Sequence, residues 1–370
     1  MSIDSQERGP PITINELVQL AHIGIPPEQV TWNRVTMTSD RWISIRHGSR
    51  EEISKPAMVT VLNPKDGTIS YAGQTSADSV LMNPSQPIIA LKAGLRFEVF
   101  NLDTKVMMSK TRLHEPIMYW TWLNSDIIGM VTDTAVYHWD LWQAESPPEK
   151  MFLRHTRLMF SEIVSYKADP GLKWLALTGL IPEDEKITGV TQLYNVDEDI
   201  TQCINAHTVC FTRYKFDENP SSSTALCVGS RDVQDNGKVY VIELGPYKAG
   251  NFAPRNVYHH VQYLDDYDRY DFPVSLQVSS KYGLLFMITK YGYLYLCDME
   301  TASCLCCTRV STDIIFASAL NNETQGILGV TRGGQVVTID LKKDGFISYL
   351  RNTAKKSCSA KRLEKAISTL

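Results

Sequence analysis

The sequence predicts an all-β fold built as a closed ring of small antiparallel sheets, of the propeller type. Three observations predict it. An apolar run, a polar or glycine-bearing turn and a second apolar run, usually closing on Asp or Asn, recur in roughly seven copies. Their spacing of roughly 40–60 residues is near the blade length of propeller repeats. From about Trp32 to about Leu341 the runs are filled by Val, Ile, Tyr, Trp and Thr, residue types suited to pleated, half-buried strands. A ring of this kind is mainly a binding scaffold, which turns the question of function from chemistry toward partners.

Residues 12–24 include Glu16-Leu17-Val18-Gln19-Leu20-Ala21-His22-Ile23 and predict a short strand or helical turn before the first copy. A strand there would complete the last blade and close the ring without an exposed sheet edge. The first copy, 42–45 with 58–63, runs into the turn Asn63-Pro64-Lys65-Asp66-Gly67. The second pairs 88–91 with 97–101, the third 127–131 with 135–140, and the fourth 174–177 with 190–195. The fifth pairs 225–228 with 238–243 across the turn signal Asp235-Asn236-Gly237. The sixth is the clearest: Leu284-Leu285-Phe286-Met287-Ile288, then Thr289-Lys290-Tyr291-Gly292, then Tyr293-Leu294-Tyr295-Leu296-Cys297-Asp298. The seventh pairs 327–330 with 335–340 around Arg332-Gly333-Gly334. Residues 217–223 and 265–271 are polar or aromatic-acidic and predict surface loops. In Tyr119-Trp120-Thr121-Trp122 and Tyr137-His138-Trp139 the alternation places every second ring between blades. After Lys343 the period changes, and Phe346, Ile347, Leu350, Ala354, Leu363, Ala366 and Ile367 suit helix. The basic stretch from Ala354 to Arg362 predicts a solvated helix face or linker. The final helix shows no stop signal, as expected of a chain that continues in a longer parent protein.

At 370 residues, with 43% hydrophobic content, the chain can bury a sizeable core. A net charge of −4 leaves no basic footprint for nucleic acid. No apolar stretch nears the roughly 20 residues of a membrane span, and the polar N-terminus has no signal-peptide core. A soluble cytosolic protein is expected, with its eight cysteines as reduced thiols. Cys304-Leu305-Cys306-Cys307 reads as small apolar residues on a strand, because a zinc site would need a second ligand pair further on. Asn322-Glu323-Thr324 reads as an ordinary loop. There is no G-x-S-x-G, P-loop or dinucleotide fingerprint. His114-Glu115-Pro116 lacks the second His of a helical zinc motif, and Pro116 opposes mid-helix placement. Asp265, Asp266 and Asp268 lie in a Tyr-rich loop without the ligand spacing of a calcium loop. The expectation is therefore no catalytic residue, no metal and no cofactor.

Several stretches go beyond a generic ring. Ser76-Ala77-Asp78-Ser79-Val80-Leu81-Met82-Asn83-Pro84, followed by Ile89-Ala90-Leu91-Lys92-Ala93-Gly94, closely resembles the amino-terminal domain of clathrin heavy chain. So do Val131-Thr132-Asp133-Thr134-Ala135-Val136-Tyr137-His138-Trp139, Lys150-Met151-Phe152, Lys173-Trp174-Leu175, Asp271-Phe272-Pro273-Val274 and Ile288-Thr289-Lys290-Tyr291-Gly292-Tyr293. The resemblance runs in one order from Glu16 to about Tyr349, whereas a generic WD-repeat protein shares only fragments such as Trp139-Asp140. It implies a seven-bladed β-propeller over 1–343 and the start of an α-helical linker over 344–370. It also implies a non-enzymatic role at the cytosolic face of coated pits and vesicles. There the propeller docks short clathrin-box-type peptides of adaptor and accessory proteins, so membrane contact is indirect. Trimerisation and light-chain binding would use regions outside these residues. The alternative is an unrelated WD-repeat-like propeller acting as an interaction scaffold.

The resemblance carries four candidate sites onto the chain. In the groove between the first two blades, Ile89 and Phe100 keep the apolar floor and Lys105 keeps one rim cation. Arg96 replaces a threonine, Glu98 a glutamine and Met107 a lysine, while Gly73 stands where the family has a rim arginine. Glu98 is expected to repel an acidic peptide, and Arg96 to offset part of the lost charge. On top of the ring, Trp32 replaces a phenylalanine, Val164 and Leu180 replace isoleucines, and Glu162 replaces a glutamine. Between the fourth and fifth blades Trp174, Leu193, Ile200 and Gln202 are kept and Glu198 replaces an arginine. Between the last two blades Glu16 and Gln19 are kept. Core packing or plain surface is the competing account of each of these residues.

Overall fold

A hairpin that is apolar on both faces needs a neighbour on each side. The computed structural model meets this need with seven four-stranded antiparallel sheets set side by side. It describes residues 10–48, 56–143, 147–183, 186–217, 219–231, 236–245, 255–263 and 270–368. Strand β1 (Ile12–Gln19) comes first and is followed by a 3₁₀ turn, Leu20–Ile23. Blade 1 is β2 (Val35–Thr36), β3 (Ile43–His47), β4 (Ala57–Leu62) and β5 (Ile69–Thr75). Blade 2 is β6 (Ser79–Met82), β7 (Ile88–Ala93), β8 (Arg96–Asn101) and β9 (Val106–Arg112). Blade 3 is β10 (Ile117–Trp122), β11 (Ile127–Thr132), β12 (Ala135–Asp140) and β13 (Glu149–Leu153). Blade 4 is β14 (Glu162–Ala168), β15 (Trp174–Glu183), β16 (Lys186–Asn195) and β17 (Ile200–Asn205). Blade 5 is β18 (Thr208–Tyr214), β19 (Ser223–Arg231), β20 (Gly237–Gly245) and β21 (Asn256–Val261). Blade 6 is β22 (Pro273–Ser279), β23 (Leu284–Thr289), β24 (Tyr293–Asp298) and β25 (Cys304–Arg309). Blade 7 is β26 (Ile315–Leu320), β27 (Ile327–Thr331) and β28 (Gln335–Leu341), completed by β1. The N-terminal strand thus closes the ring as expected. Helices α1 (Lys343–Asn352) and α2 (Ser357–Ser368) follow.

Each predicted run-turn-run copy is the central strand pair of one blade. One apolar cluster fills each junction between neighbouring blades, so these strands bury both faces. Trp120 and Trp122 lie between blades 2 and 3, where Trp120 meets Phe97 edge-on at 5.0 Å. The closing Asp or Asn caps the next turn: Asn101, Asp140, Asn195 and Asp298 each accept backbone N–H bonds from residues two or three ahead.

Three expectations change. The loop at 217–223 is not all surface: Asn219 and Ser223 are buried and both donate to Glu243. Asp271 is also fully buried, and its Oδ1 accepts from the N–H groups of Phe272 and Tyr291. Asp265, Asp266 and Asp268 lie outside the described residues, as does Asp235. The basic stretch is not a purely solvated face, because Arg362 and Ser359 both donate to the buried Asp298. The cysteine run is β25, whose Leu305 and Cys306 are covered by Phe346, Leu350, Ala360 and Leu363 of the two helices.

Candidate peptide-binding grooves

Register defines the face of blade 2 that looks at blade 1. Its rows are Met82–Ile89–Phe100–Met107, Val80–Leu91–Glu98–Lys110 and Ala93–Arg96–Arg112. Directly opposed strand residues share a face, so five of the expected groove residues stand on one surface. A bulge between Val99 and Phe100 keeps Met107 on this face and sends Met108 toward blade 3. Ile89 is only 3% exposed and packs with Val59, Val61, Val80 and Met82 between the blades. It supports the groove from beneath rather than lining it. Phe100 and Leu91 are half-buried on the same cluster and continue it toward solvent. Lys105 sits in the β8–β9 turn at φ 58°, exposed, and Met107 beside it is 44% exposed.

Gly73 stands on β5 opposite Val59, with Tyr71 one row away opposite Val61. A Cβ at Gly73 would stand 2.3 Å from the Tyr71 hydroxyl oxygen. The tyrosine therefore occupies the space that a rim side chain would need. Lys110 and Arg112 are exposed residues of the groove face that the sequence reading missed. Their i, i+2 spacing was visible, but only the register sets them opposite Glu98 and Arg96.

The other sites are assembled to different degrees. Trp174, Leu193, Ile200 and Gln202 share the face of blade 4 turned to blade 5, since Leu193 pairs Gln202 and Asn195 pairs both Trp174 and Ile200. Leu193 is buried core there, while Ile200 is 56% exposed. Glu198 lies in the acidic turn Asp197-Glu198-Asp199, held by Asn195. Glu162 and Leu180 oppose each other on blade 4, with Val164 in the adjacent bulge. The exposed Trp32 belongs to the loop before β2 of blade 1, so this fourth member comes from another part of the ring. Glu16 and Gln19 lie opposite Val337 and Gln335, on the side facing blade 6. Glu16 accepts from Gln335 Nε2 at 2.7 Å, and Gln19 donates to the Gly333 carbonyl. Gln19 Oε1 is buried without a hydrogen-bond partner among the described residues. Those residues also contain no group of three or more His, Cys, Asp or Glu able to hold a metal ion. No described helix is long and apolar enough to cross a membrane.

The chain is 36% identical over 344 residues to human clathrin heavy chain 2, a match covering 92% of this chain. The chain is a divergent homologue of clathrin heavy chain. Clathrin heavy chain of Drosophila melanogaster matches at 35% over 342 residues, and probable clathrin heavy chain 1 of Caenorhabditis elegans at 36% over 344. The chain spans about a fifth of the length of these relatives, the extent expected of the clathrin amino-terminal propeller (20% in each). No protein-family model matches. Among solved structures, the β-propeller domain of Cps50 (Swd1) from Myceliophthora thermophila aligns with a TM-score of 0.54. It covers 84% of this chain and 96% of that one at 8% identity, a likeness of fold alone. Clathrin homology and the propeller together point to a structural scaffold rather than an enzyme.

Proposed function

We propose that this propeller is the peptide-docking end of a clathrin-type heavy chain, and that it binds extended segments of adaptor and accessory proteins between blades 1 and 2. The observation that carries this reading is the Leu91–Phe100 surface. It extends the apolar cluster between the two blades outward, flanked by exposed polar and charged side chains on β8 and β9. An extended peptide sends alternate side chains to one side. Its apolar residues would rest on Phe100 and Leu91, and its charges would meet the rim, including Lys105. The grooves at blades 4–5 and 6–7 and the top-face residues are secondary sites in this reading. Single contacts would be modest, and many propellers in one coat would supply avidity. The propeller to about residue 343 and the helices after it would then be a terminal domain and the start of a helical array. The protein would work in the cytoplasm on vesicle coats, reaching membranes through its adaptors.

Titrating a fluorescent clathrin-box-type peptide against wild type and Phe100→Ala tests the reading. Saturable binding that weakens about tenfold in the variant, roughly the cost of one well-packed contact residue, is expected. Equal binding by a Phe100→Ala protein of unchanged melting temperature would reject this groove.

A further inference from the structure

Most of the positive charge of the blade 1–2 groove lies at the end away from Lys105. Arg96 on β8 stands directly opposite Arg112 on β9, and both are exposed. Like charges in directly opposed positions destabilise a sheet pair. Among the described residues no ion pair or side-chain hydrogen bond engages Arg96, Lys110 or Arg112. Glu98 is directly opposite Lys110, so the carboxylate that replaces the family's glutamine faces a cation within its own blade. Asp78, at the same end, has an oxygen held by the Gly94 N–H at 2.7 Å. Three cations thus stand against two carboxylates, Glu98 on this stretch of the face and Asp78 at its end. Four residue steps along β8 separate Arg96 from Phe100, about 14 Å of strand. At the other end Lys105 is exposed, and Met107 beside it carries no charge.

We propose that this groove reads the acidic residues of its peptide at the β7–β8 end, through Arg96 and Arg112 with Lys110 beside them. The occupant is an extended peptide whose apolar residues rest on Phe100 and whose carboxylates bridge the two arginines. A carboxylate between two guanidinium groups forms charge-assisted hydrogen bonds and removes the repulsion of the empty pair. The proposal rests on the peptide-docking reading above and specifies where its acid selectivity resides.

The test uses two fluorescent peptides with one alternating apolar core, flanked at both ends by Asp and Glu or by Asn and Gln. The ratio of their dissociation constants measures acid preference whichever way the peptide runs. Wild type is expected to prefer the acidic peptide about tenfold at low salt, an electrostatic preference that shrinks as salt rises. In Arg96→Gln/Arg112→Gln the ratio should fall to about twofold or less, a loss larger than that in Lys105→Gln. No acid preference in wild type, or a larger loss in Lys105→Gln than in the double variant, would overturn the inference and leave the docking reading intact. Binding only by a peptide with phosphoserine in place of the acids would also overturn it. If neither peptide binds wild type, the docking reading fails and takes this inference with it.

Discussion

At Gly292 the backbone of the β23–β24 turn takes φ +78°, and a Cβ there would stand 2.2 Å from the Ser311 carbonyl oxygen. Glycine is required on both counts. Gly292→Ala is expected to destabilise the protein by about 1–3 kcal/mol in urea denaturation; a change within about 0.5 kcal/mol, the scatter of ordinary surface substitutions, would contradict this. His138 is a second such position. Its Nε2 lies 2.6 Å from the Tyr166 hydroxyl across the blade 3–4 junction, and burial lowers its pKa to about 4. Because the folded value lies below the unfolded one, above pH 6.5 both states are neutral and the group contributes nothing. As pH falls from 6.5 to about 4 the unfolded chain gains the proton first, costing roughly 1.4 kcal/mol of stability per pH unit. The buried His207, also shifted down, acts in the same direction. Melting temperatures of wild type and His138→Gln across this window should show a shallower fall in the variant; parallel curves would show that His138 does not carry the effect. At this scale the sequence was legible where a residue obeyed a local rule, as Gly292 and the turn-capping Asn101 do. It was not legible where a residue is defined by what stands opposite, as Lys110 and Arg112 are.

Strands differ in how plainly they announce themselves. The central strands, such as β23 and β24, are buried along their whole length because neighbouring blades cover both faces. They read as continuous apolar runs. Outer strands such as β9 and β17 are mostly exposed, carry sequences such as VMMSKTR and ITQCIN, and give no run to find. The grooves are bordered by these outer strands, so the proposed binding surface was the least legible part of the fold. β25 departs from this pattern because the helices cover it, and its cysteines are packing residues. The helical period also hid the docking of α2, where Arg362 joins the buried Asp298 and approaches Asp217 at 3.5 Å. Arg362→Ala is expected to loosen α2 by about 1.5–3 kcal/mol, the worth of a hydrogen bond to a charged group. Hydrogen exchange should rise at least tenfold in residues 357–368 while β23 and β24 stay protected. Unchanged exchange in α2 would show that Leu363 and Ala360 hold it without the arginine.

Over the whole molecule, closure depends on β1, which pairs with β28 from Ile12↔Leu341 to Gln19↔Gln335. Without it β28 would be an open sheet edge, a template for association. A chain starting at residue 20 should unfold at lower denaturant and run as larger species on size exclusion. Monomeric behaviour with unchanged stability would contradict ring closure by this strand. The ring was legible because its repeat is a property of many residues together, and the clathrin kinship because its motifs lie in one order. In the proposed docking role, the choice of groove and of peptide depends on a few exposed side chains between blades. The most direct measurement is hydrogen exchange of the whole chain with and without a saturating acidic, alternately apolar peptide. The account predicts new protection confined to β5, β8 and β9 around Tyr71, Phe100 and Arg112, and about tenfold more peptide needed to reach it in Phe100→Ala. Protection only at another groove, or none at saturating peptide, would contradict it.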